Sequence, residues 1–369
     1  MLNFAPTEEQ EEIRNLAQSL AGEQLRPRAR DAEQRGDISP ELMQTLAQTG
    51  LTTPFPEAYG GSGPIEALTY TLIAEELGFG DGGLAMNIIG SLMGPLTVAL
   101  AGDEKQQQRY IPPFCDAHKG YLQRGSFAFA ERTGGYTIAD IHTAARLQGE
   151  HCFINGTKRD VIHGHQSNPR VVLARLEGTT GADGLYAIVV PTPREGFSLK
   201  SDELKLGLAA APSAAFVFEN VDVPGTHVLG KPGESGVVHA VTLYQLLRAG
   251  VACGMARAAL EYARDYAMGR YAFGRPIASY QGIAFIVAEM AMKLDAARLL
   301  LWRAAQSWDQ AENGHEGSHA FVSEAEVAQY QAVKIAKSAT LDAIQVLGGA
   351  GFLQDHPVEM WARNAAAME

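Results

Sequence analysis

Three residues in the C-terminal third of the chain carry side chains that could bind a nucleotide. Arg270, Phe273 and Gln281 flank a break at Gly274 and Pro276 between two long helical patterns. A guanidinium presents a planar fork of donors to a phosphate, while an aromatic ring and an amide could contact a ring, a sugar or a base edge. The same residues also suit a helix C-cap with Phe273 in the core. From the residues alone, both interpretations stay open.

The wider motif, Arg-x-x-Phe-Gly-x-Pro-Ile-x-x-x-Gln over residues 270–281, resembles the signature of the acyl-CoA dehydrogenase family. Further matches follow the family's order along the chain, at residues 56–63, 103–114, 221–230, 345–352 and 356–363. The resemblance implies an FAD-dependent oxidoreductase that acts on the α,β carbons of an acyl thioester. It also implies that five residues contact the adenine and pyrophosphate side of the FAD of a neighbouring subunit, namely Arg270, Phe273, Gln281, Gln345 and Gly349.

The segments that resemble the flavin-ring site depart from the family pattern. Ala130 and Tyr136 stand where the family has Thr and Ser, and Asp160 and Ile162 stand where it has a stacking Trp and a Thr. The backbone N–H groups of Phe129 and Ala130 could still serve the ring, because they do not depend on the side chain.

The catalytic base is not identifiable from the motifs. In most of the family a Glu follows the segment that matches residues 363–365, and this sequence stops at Glu369, a few residues before that position. Other members place the Glu at the position of Tyr244, whose reference pKa of about 10 makes it a poor base. Asp160 is a titratable residue beside the expected ring position. Glu369, Tyr244 and Asp160 are therefore weak candidates.

Composition limits the class of protein. The chain has 369 residues, 46% hydrophobic and 20% charged, with a formal net charge of -12. This length suffices for two or three domains, and the negative charge argues against nucleic acid or an anionic membrane as partner. No uninterrupted apolar run is long enough to span a bilayer, and the N-terminus lacks a signal-peptide core.

The cysteines Cys115, Cys152 and Cys253 are widely separated and odd in number, which predicts neither a disulfide framework nor a metal site. These features together predict a soluble cytoplasmic protein in a reducing compartment.

The elements that must position these residues fall into three parts, and the predicted fold class is α+β, mostly α. Residues 1–122 have helical periodicity, with a capping box at Thr7 and a helix start at Ser39 and Pro40. Residues 236–369 have long apolar stripes typical of a four-helix bundle.

Between them, residues 123–235 contain short β-branched runs separated by turn residues. We predict an antiparallel β-barrel domain there, with a sandwich as the alternative, and a hairpin turn at Asn155 and Gly156.

Three functions remain open. The first is an acyl-CoA dehydrogenase-like flavoprotein whose base is missing or has moved, in a homodimer or homotetramer. The second is a half-site subunit that lends Arg270, Phe273 and Gln281 to the FAD of a second family member in a heteromer. The third is a non-redox enzyme that binds an acyl thioester on the same fold, since a fold does not fix a function.

Overall fold

The computed structural model describes residues 6–131, 135–200, 204–230, 235–312 and 320–369. Within these ranges the chain forms an N-terminal group of helices, a middle sheet and a C-terminal group of longer helices. The α-helices are α1 Glu8–Leu20, α2 Ala29–Arg35, α3 Pro40–Ala47, α4 Ala67–Gly80, α5 Gly82–Ala101, α6 Glu104–Tyr110, α7 Ser235–Gly269, α8 Gln281–Glu312, α9 Ala320–Leu347 and α10 Val358–Ala366.

The helix starts follow local sequence signals. Thr7 Oγ1 accepts from the Gln10 backbone N–H at 3.2 Å, and Gln10 Oε1 accepts from the Thr7 N–H at 3.0 Å, which completes the predicted capping box. Ser39 Oγ accepts from the Leu42 N–H at 3.2 Å, with Pro40 in the first turn. Both predicted helix starts are confirmed.

Helix α7 is the centre of the helical core. It packs against α4, α5, α8 and α9, and most of its first 25 residues are buried. Glycines let α4 and α7 approach closely: a Cβ on Gly254 would lie 2.1 Å from the Glu75 carbonyl oxygen, and one on Gly78 would lie 2.4 Å from the Val251 carbonyl oxygen. The two backbones therefore touch where a larger side chain would separate them.

The middle part of the chain is one open, mixed sheet. Its strands are β1 Ser126–Ala128, β2 Ala144–Gln148, β3 His151–Ile162, β4 Arg170–Leu176, β5 Leu185–Val189, β6 Phe197–Lys200, β7 Ser213–Pro224 and β8 Val228–Leu229. The strand order is β6-β7-β3-β2-β4-β5-β8, with β1 paired to β4. Among the described residues β6 and β8 do not pair, so the sheet does not close and the predicted β-barrel is wrong.

The predicted purely antiparallel pairing is also incomplete. Strand β4 pairs in parallel with both β1 and β2, while the remaining pairs of this sheet are antiparallel. The alternating pattern of a strand identifies its buried face but not the direction of its neighbour, so the sequence pattern could not distinguish the two.

The turn predicted at Asn155 and Gly156 is wrong as well. Both residues lie inside β3, and Gly156 pairs with Phe218 of β7 across a register shift. Gly156 has a φ of +146°, which suits a bulge in a long strand. The pairing of β3 with β7 thus overrides the local turn signal.

The C-terminal helices fit the predicted bundle. Helices α7, α8 and α9 pack against one another, and α10 packs against α9 and α7. Between α7 and α8, strands β9 Tyr271–Ala272 and β10 Arg275–Pro276 form a short antiparallel hairpin. This hairpin lies within the motif of residues 270–281, with Phe273 and Gly274 at its tip.

Two helices, α5 and α7, are long and apolar enough to cross a membrane by length and composition. Inside the protein, 78% and 94% of their apolar windows are buried, as in core helices generally. The three cysteines are free, and no cluster of His, Cys, Asp and Glu in the described ranges could hold a metal.

We expect Gly254→Ala to lower the free energy of unfolding by about 1–3 kcal/mol, because the new methyl group must push α4 away from α7. Gly22→Ala is the matched control, since a Cβ there meets nothing within 4 Å. Urea denaturation of both variants measures the difference. Equal stability of the two variants would contradict the close approach of α4 and α7.

Candidate functional site

A cavity lies between one end of the sheet and the end of α10. Its wall comes from the chain after β1, from β3, from the start of β7 and from the last residues of the chain. We call it the ring cavity, and its wall includes Ala130, Tyr136, Asp160, Ala214, Ala366 and Glu369. Several of these side chains are small, including those of Ala130, Ala214 and Ala366.

A second cavity runs beside the first, along α7 and α9. We call it the side groove, and its wall includes Tyr136, Thr137, Gln245, Glu326, Tyr330 and Glu369. Tyr136 and Glu369 belong to both walls. We call the position of these two shared residues the junction of the two cavities.

A buried ion pair fixes the ring-cavity wall after β1. Lys158 Nζ on β3 donates to Glu131 Oε1 at 2.6 Å and to the Phe129 carbonyl at 3.0 Å. Burial alone would raise the pKa of Glu131, but the Lys158 ammonium and the N–H of Thr143 hold it below its usual value. Burial lowers the pKa of Lys158 to about 8, although the Glu131 carboxylate opposes this fall, and the ammonium stays mostly charged at neutral pH. The strand end that carries Phe129 and Ala130 is therefore held in place.

An aromatic cluster with one buried cation stands behind the junction. The Arg248 guanidinium carbon lies 3.5 Å from the Tyr136 ring centroid and 5.7 Å from the Tyr244 ring centroid. Phe127 and Phe129 of the sheet pack edge-on or tilted against Tyr244, at 5.5 Å and 6.3 Å between ring centroids. The cluster joins the sheet to the face of α7.

Both phenols in this cluster stay protonated at neutral pH. Burial raises the pKa of Tyr136 and of Tyr244, and the nearby Arg248 charge offsets only part of that rise. Tyr244 is 5% exposed, and it lies in neither cavity wall. The candidate base Tyr244 is thus a buried, protonated phenol behind the junction, with its ring centroid 6.2 Å from that of Tyr136.

Asp160 lies in the ring-cavity wall beside Tyr136. Its backbone has a φ of +51°, a left-handed conformation that Asp and Asn tolerate better than most residues. The Tyr136 hydroxyl donates to Asp160 Oδ2 over 3.4 Å, and Lys205 Nζ lies 3.9 Å from Asp160 Oδ1. The carboxylate is therefore directed at the junction.

Glu369 reaches the junction from the other side. Its Oε2 accepts from Lys337 Nζ, and its side chain is 57% exposed. Arg248 Nη2 donates to the carbonyl of the preceding Met368 at 2.6 Å, which ties this end of the chain to α7.

The motif residues of the C-terminal third are exposed. The tip residue Phe273 is 97% exposed and has a φ of +51°, and Gly274 follows with +82°. The interpretation of Phe273 as a core residue is therefore wrong. Arg270, Gln281, Gln345 and Gly349 are also exposed, and none of the five lies in the ring-cavity wall of this chain.

The structure thus divides the predicted residues into two groups. Ala130, Asp160 and Glu369 line the ring cavity, with Phe129 behind it, while the five motif residues stand on open surface. Sequence reasoning missed Arg248 and Gln245. The available signal was two polar side chains in a long apolar helix, at positions whose flanking residues are hydrophobic.

His163, close to Asp160 in the chain, is a buried neutral histidine. It is 2% exposed, and its Nε2 lies 3.0 Å from the Asn87 carbonyl oxygen. Burial, reinforced by the charge of Arg124, lowers the pKa of His163 from 6.5 to about 4. This residue supports the end of β3 against α5.

Helical domains on either side of a sheet, with a cavity where the sheet meets the last helix, define an α+β fold with a candidate ligand site at that meeting point. Models of the N-terminal, middle and C-terminal domains of acyl-CoA dehydrogenases match residues 7–118, 126–221 and 235–369. The chain belongs to the acyl-CoA dehydrogenase family, whose members are FAD-dependent oxidoreductases.

Individual relatives agree with this assignment. The chain is 32% identical over 366 residues to a probable acyl-CoA dehydrogenase of Mycobacterium tuberculosis, FadE25, covering 98% of this chain and 91% of that protein. It is 32% identical over 364 residues to the mitochondrial short-chain specific acyl-CoA dehydrogenase of Rattus norvegicus, covering 97% and 85%. Butyryl-CoA dehydrogenase from Megasphaera elsdenii superposes with a TM-score of 0.83 at 27% identity, covering 100% and 95%.

We expect His163→Asn to reduce the loss of stability on acidification. The unfolded chain binds a proton near pH 6.5 and the folded chain only near the pKa of about 4 for His163, so this group destabilises the fold as the pH falls through that window. The loss approaches about 1.4 kcal/mol per pH unit for one fully linked proton. Urea denaturation of wild type and variant at pH 7 and pH 5 measures it. If the difference in unfolding free energy between wild type and His163→Asn is the same at pH 7 and pH 5, the result would contradict the burial of a neutral imidazole.

Proposed function

We propose that this chain oxidises an acyl thioester at its α,β carbons, with the FAD ring in the ring cavity and the thioester in the side groove. One observation carries the proposal: Tyr136 and Glu369 line both cavities, so that two ligands would meet at a single pair of side chains. A reaction between a bound cofactor and a bound substrate needs such a shared wall.

The residues of the ring cavity fit a flat ring. Ala130, Ala214 and Ala215 offer small side chains along one wall, and the Lys158–Glu131 pair holds the adjacent backbone. The bound FAD would supply a hydride acceptor for the β-carbon. Asp160 cannot give the ring stacking that a Trp would provide. We therefore propose that backbone N–H groups near Phe129 and Ala130 would hydrogen-bond to the flavin ring.

The junction supplies polar groups for the other half of the reaction. The Tyr136 hydroxyl, the Asp160 carboxylate and the Glu369 carboxylate all border it. Gln245 Nε2 holds the Tyr136 carbonyl at 2.5 Å, which fixes the backbone of the tyrosine beside the groove. Oxidation at the α-carbon requires a proton acceptor within hydrogen-bond reach, and this set contains candidates on two sides.

A second chain would complete the cofactor site. The Phe273 side chain is nearly fully exposed at the tip of a hairpin, and Arg270 beside it has no side-chain hydrogen bond or ion pair within the described ranges. Exposed aromatic and arginine side chains of this kind are typical of contact surfaces. A homodimer or homotetramer, in which each copy lends Arg270, Phe273 and Gln281, accounts for both features.

The second candidate is a half-site subunit in a heteromer with another family member. The observation that favours it is the location of the substitutions: Tyr136, Asp160 and Ile162 change the ring side, while the exposed motif residues keep the family pattern. Such a chain would lend its hairpin to a partner and bind no FAD ring of its own.

We also propose a cytoplasmic location, and a division into domains at residues 1–122, 123–235 and 236–369.

We expect the purified protein to show flavin absorption near one FAD per chain, and to lose it on anaerobic titration with an acyl-CoA it accepts. An absorption spectrum with and without added FAD, followed by titration with acyl-CoA of increasing chain length, measures both. Protein that takes up no FAD alone, and turns over only with a second polypeptide, would replace this proposal with the half-site subunit.

We expect Phe273→Ala to weaken FAD binding by about tenfold or more, which corresponds to about 1.4 kcal/mol. The free energy of unfolding should change by no more than about 0.5 kcal/mol, because the side chain is exposed within its own chain. Leu147→Ala, an exposed leucine on β2, is the matched control. Fluorescence titration with FAD and light scattering measure affinity and assembly. Unchanged affinity in Phe273→Ala would contradict the shared site.

A further inference from the structure

We propose that Asp160 and Tyr136 form the acid–base pair that removes the α-proton. The inference rests on the proposed function above and names the groups that act within that site. It starts from the geometry of the junction, where a phenol and a carboxylate that come from separate segments of the chain lie in contact.

The first step of the argument is position. Tyr136 lies in the walls of both cavities, so a ligand in either cavity would contact this residue. The same hydroxyl donates to Asp160 Oδ2 over 3.4 Å. This distance is long for a hydrogen bond, and catalytic hydrogen bonds without substrate are often long and shorten in the complex.

The second step is charge. The Arg248 guanidinium lies 3.5 Å from the Tyr136 ring centroid, is 2% exposed and has no carboxylate within ion-pairing distance among the described residues. A buried cation with no acidic partner stabilises negative charge that develops nearby. Arg248 is therefore a positioning residue that also favours electron density on the Tyr136 oxygen during proton transfer.

The third step is the fate of the protons. The α C–H bond breaks and its proton passes to Tyr136 Oη, while the phenolic proton passes to Asp160 Oδ2. The electron pair left on the α-carbon forms the C=C bond as a hydride leaves the β-carbon for the oxidised FAD of the proposed function. Asp160, whose side chain is 29% exposed, then releases the proton to solvent.

Two other carboxylates near the ring cavity, and the phenol of Tyr244, are less suited to this step. One oxygen of Glu369 is taken by the Lys337 ammonium, and the side chain is mostly in solvent. Glu131 is buried against Lys158 and accepts the N–H groups of His142 and Thr143 at 3.0 Å and 2.9 Å. Tyr244 lies in neither cavity wall.

The test uses conservative variants of both partners in the FAD-loaded protein. Asp160→Asn keeps a residue that tolerates the left-handed backbone, and Tyr136→Phe keeps the ring over Arg248. With an acyl-CoA that reduces the FAD, stopped-flow absorbance should show the rate of flavin bleaching fall by about a hundredfold or more in both variants. FAD affinity and substrate affinity should change little. Asp222→Asn, on an exposed part of the sheet, is the control and should match wild type.

A second readout needs neither FAD nor substrate. In protein labelled at tyrosine ¹³Cζ, the Tyr136 signal is the one absent from Tyr136→Phe. We expect it to shift in Asp160→Asn, because its carboxylate acceptor is replaced by an amide, and to stay in place in Asp222→Asn.

The outcomes separate the two proposals. Protein that binds no FAD, or that no acyl-CoA bleaches, ends the proposed function, whatever the tyrosine spectrum shows. A bleached flavin with a wild-type rate in Asp160→Asn would overturn the pair alone. A greater loss of bleaching rate in Glu369→Gln than in Asp160→Asn would also overturn the pair. So would a Tyr136 ¹³Cζ signal that does not shift in Asp160→Asn.

Discussion

The candidate site depends on a buried positive charge. Arg248 is nearly inaccessible to water, and moving a cation into a protein interior carries a large desolvation penalty unless other interactions offset it. Here the offset comes from the Tyr136 ring at 3.5 Å, the Tyr244 phenol and the Met368 carbonyl at 2.6 Å. These partners come from the loop after β1, from α7 and from the end of the chain. One side chain therefore links three of the segments that meet at the junction.

Packing of α7 on several sides helps to offset the desolvation penalty of the buried Arg248 side chain. The glycines of α7 bring α4 to backbone contact, and its first turns pack on α5 and the sheet. Lys158 is a second buried charge. It holds the ring-cavity wall after β1 in place by donating to Glu131 and to the Phe129 carbonyl. Both walls of the ring cavity are thus set by cations whose partners lie far away in sequence, which explains why residue spacing alone could not locate the cavity.

Much of the fold, and only part of the site, could be predicted from the sequence. Helix starts at Thr7 and Ser39 depend on hydrogen bonds within one turn, so local sequence suffices for them. Sheet closure depends on whether the edge strands β6 and β8 meet, and no pattern within a strand encodes that. The Asn155–Gly156 pair has a strong turn signal, yet its pairing with β7 decides its conformation. The burial of Arg248 could not be predicted, because a cation in an amphipathic pattern usually marks the solvated face of a helix.

The contact between Tyr136 and Asp160 changes the interpretation of these two departures from the family pattern. Taken one at a time, Tyr136 and Asp160 suggest the loss of a serine and of a stacking tryptophan, and thus a decayed site. The structure puts the two new side chains in contact, with Arg248 behind them and both cavities in front. The Tyr136 hydroxyl donates to Asp160 Oδ2, so each side chain supplies a hydrogen-bond partner to the other. Independent decay gives no reason for two substitutions that satisfy each other, whereas a rebuilt proton route requires both of them together.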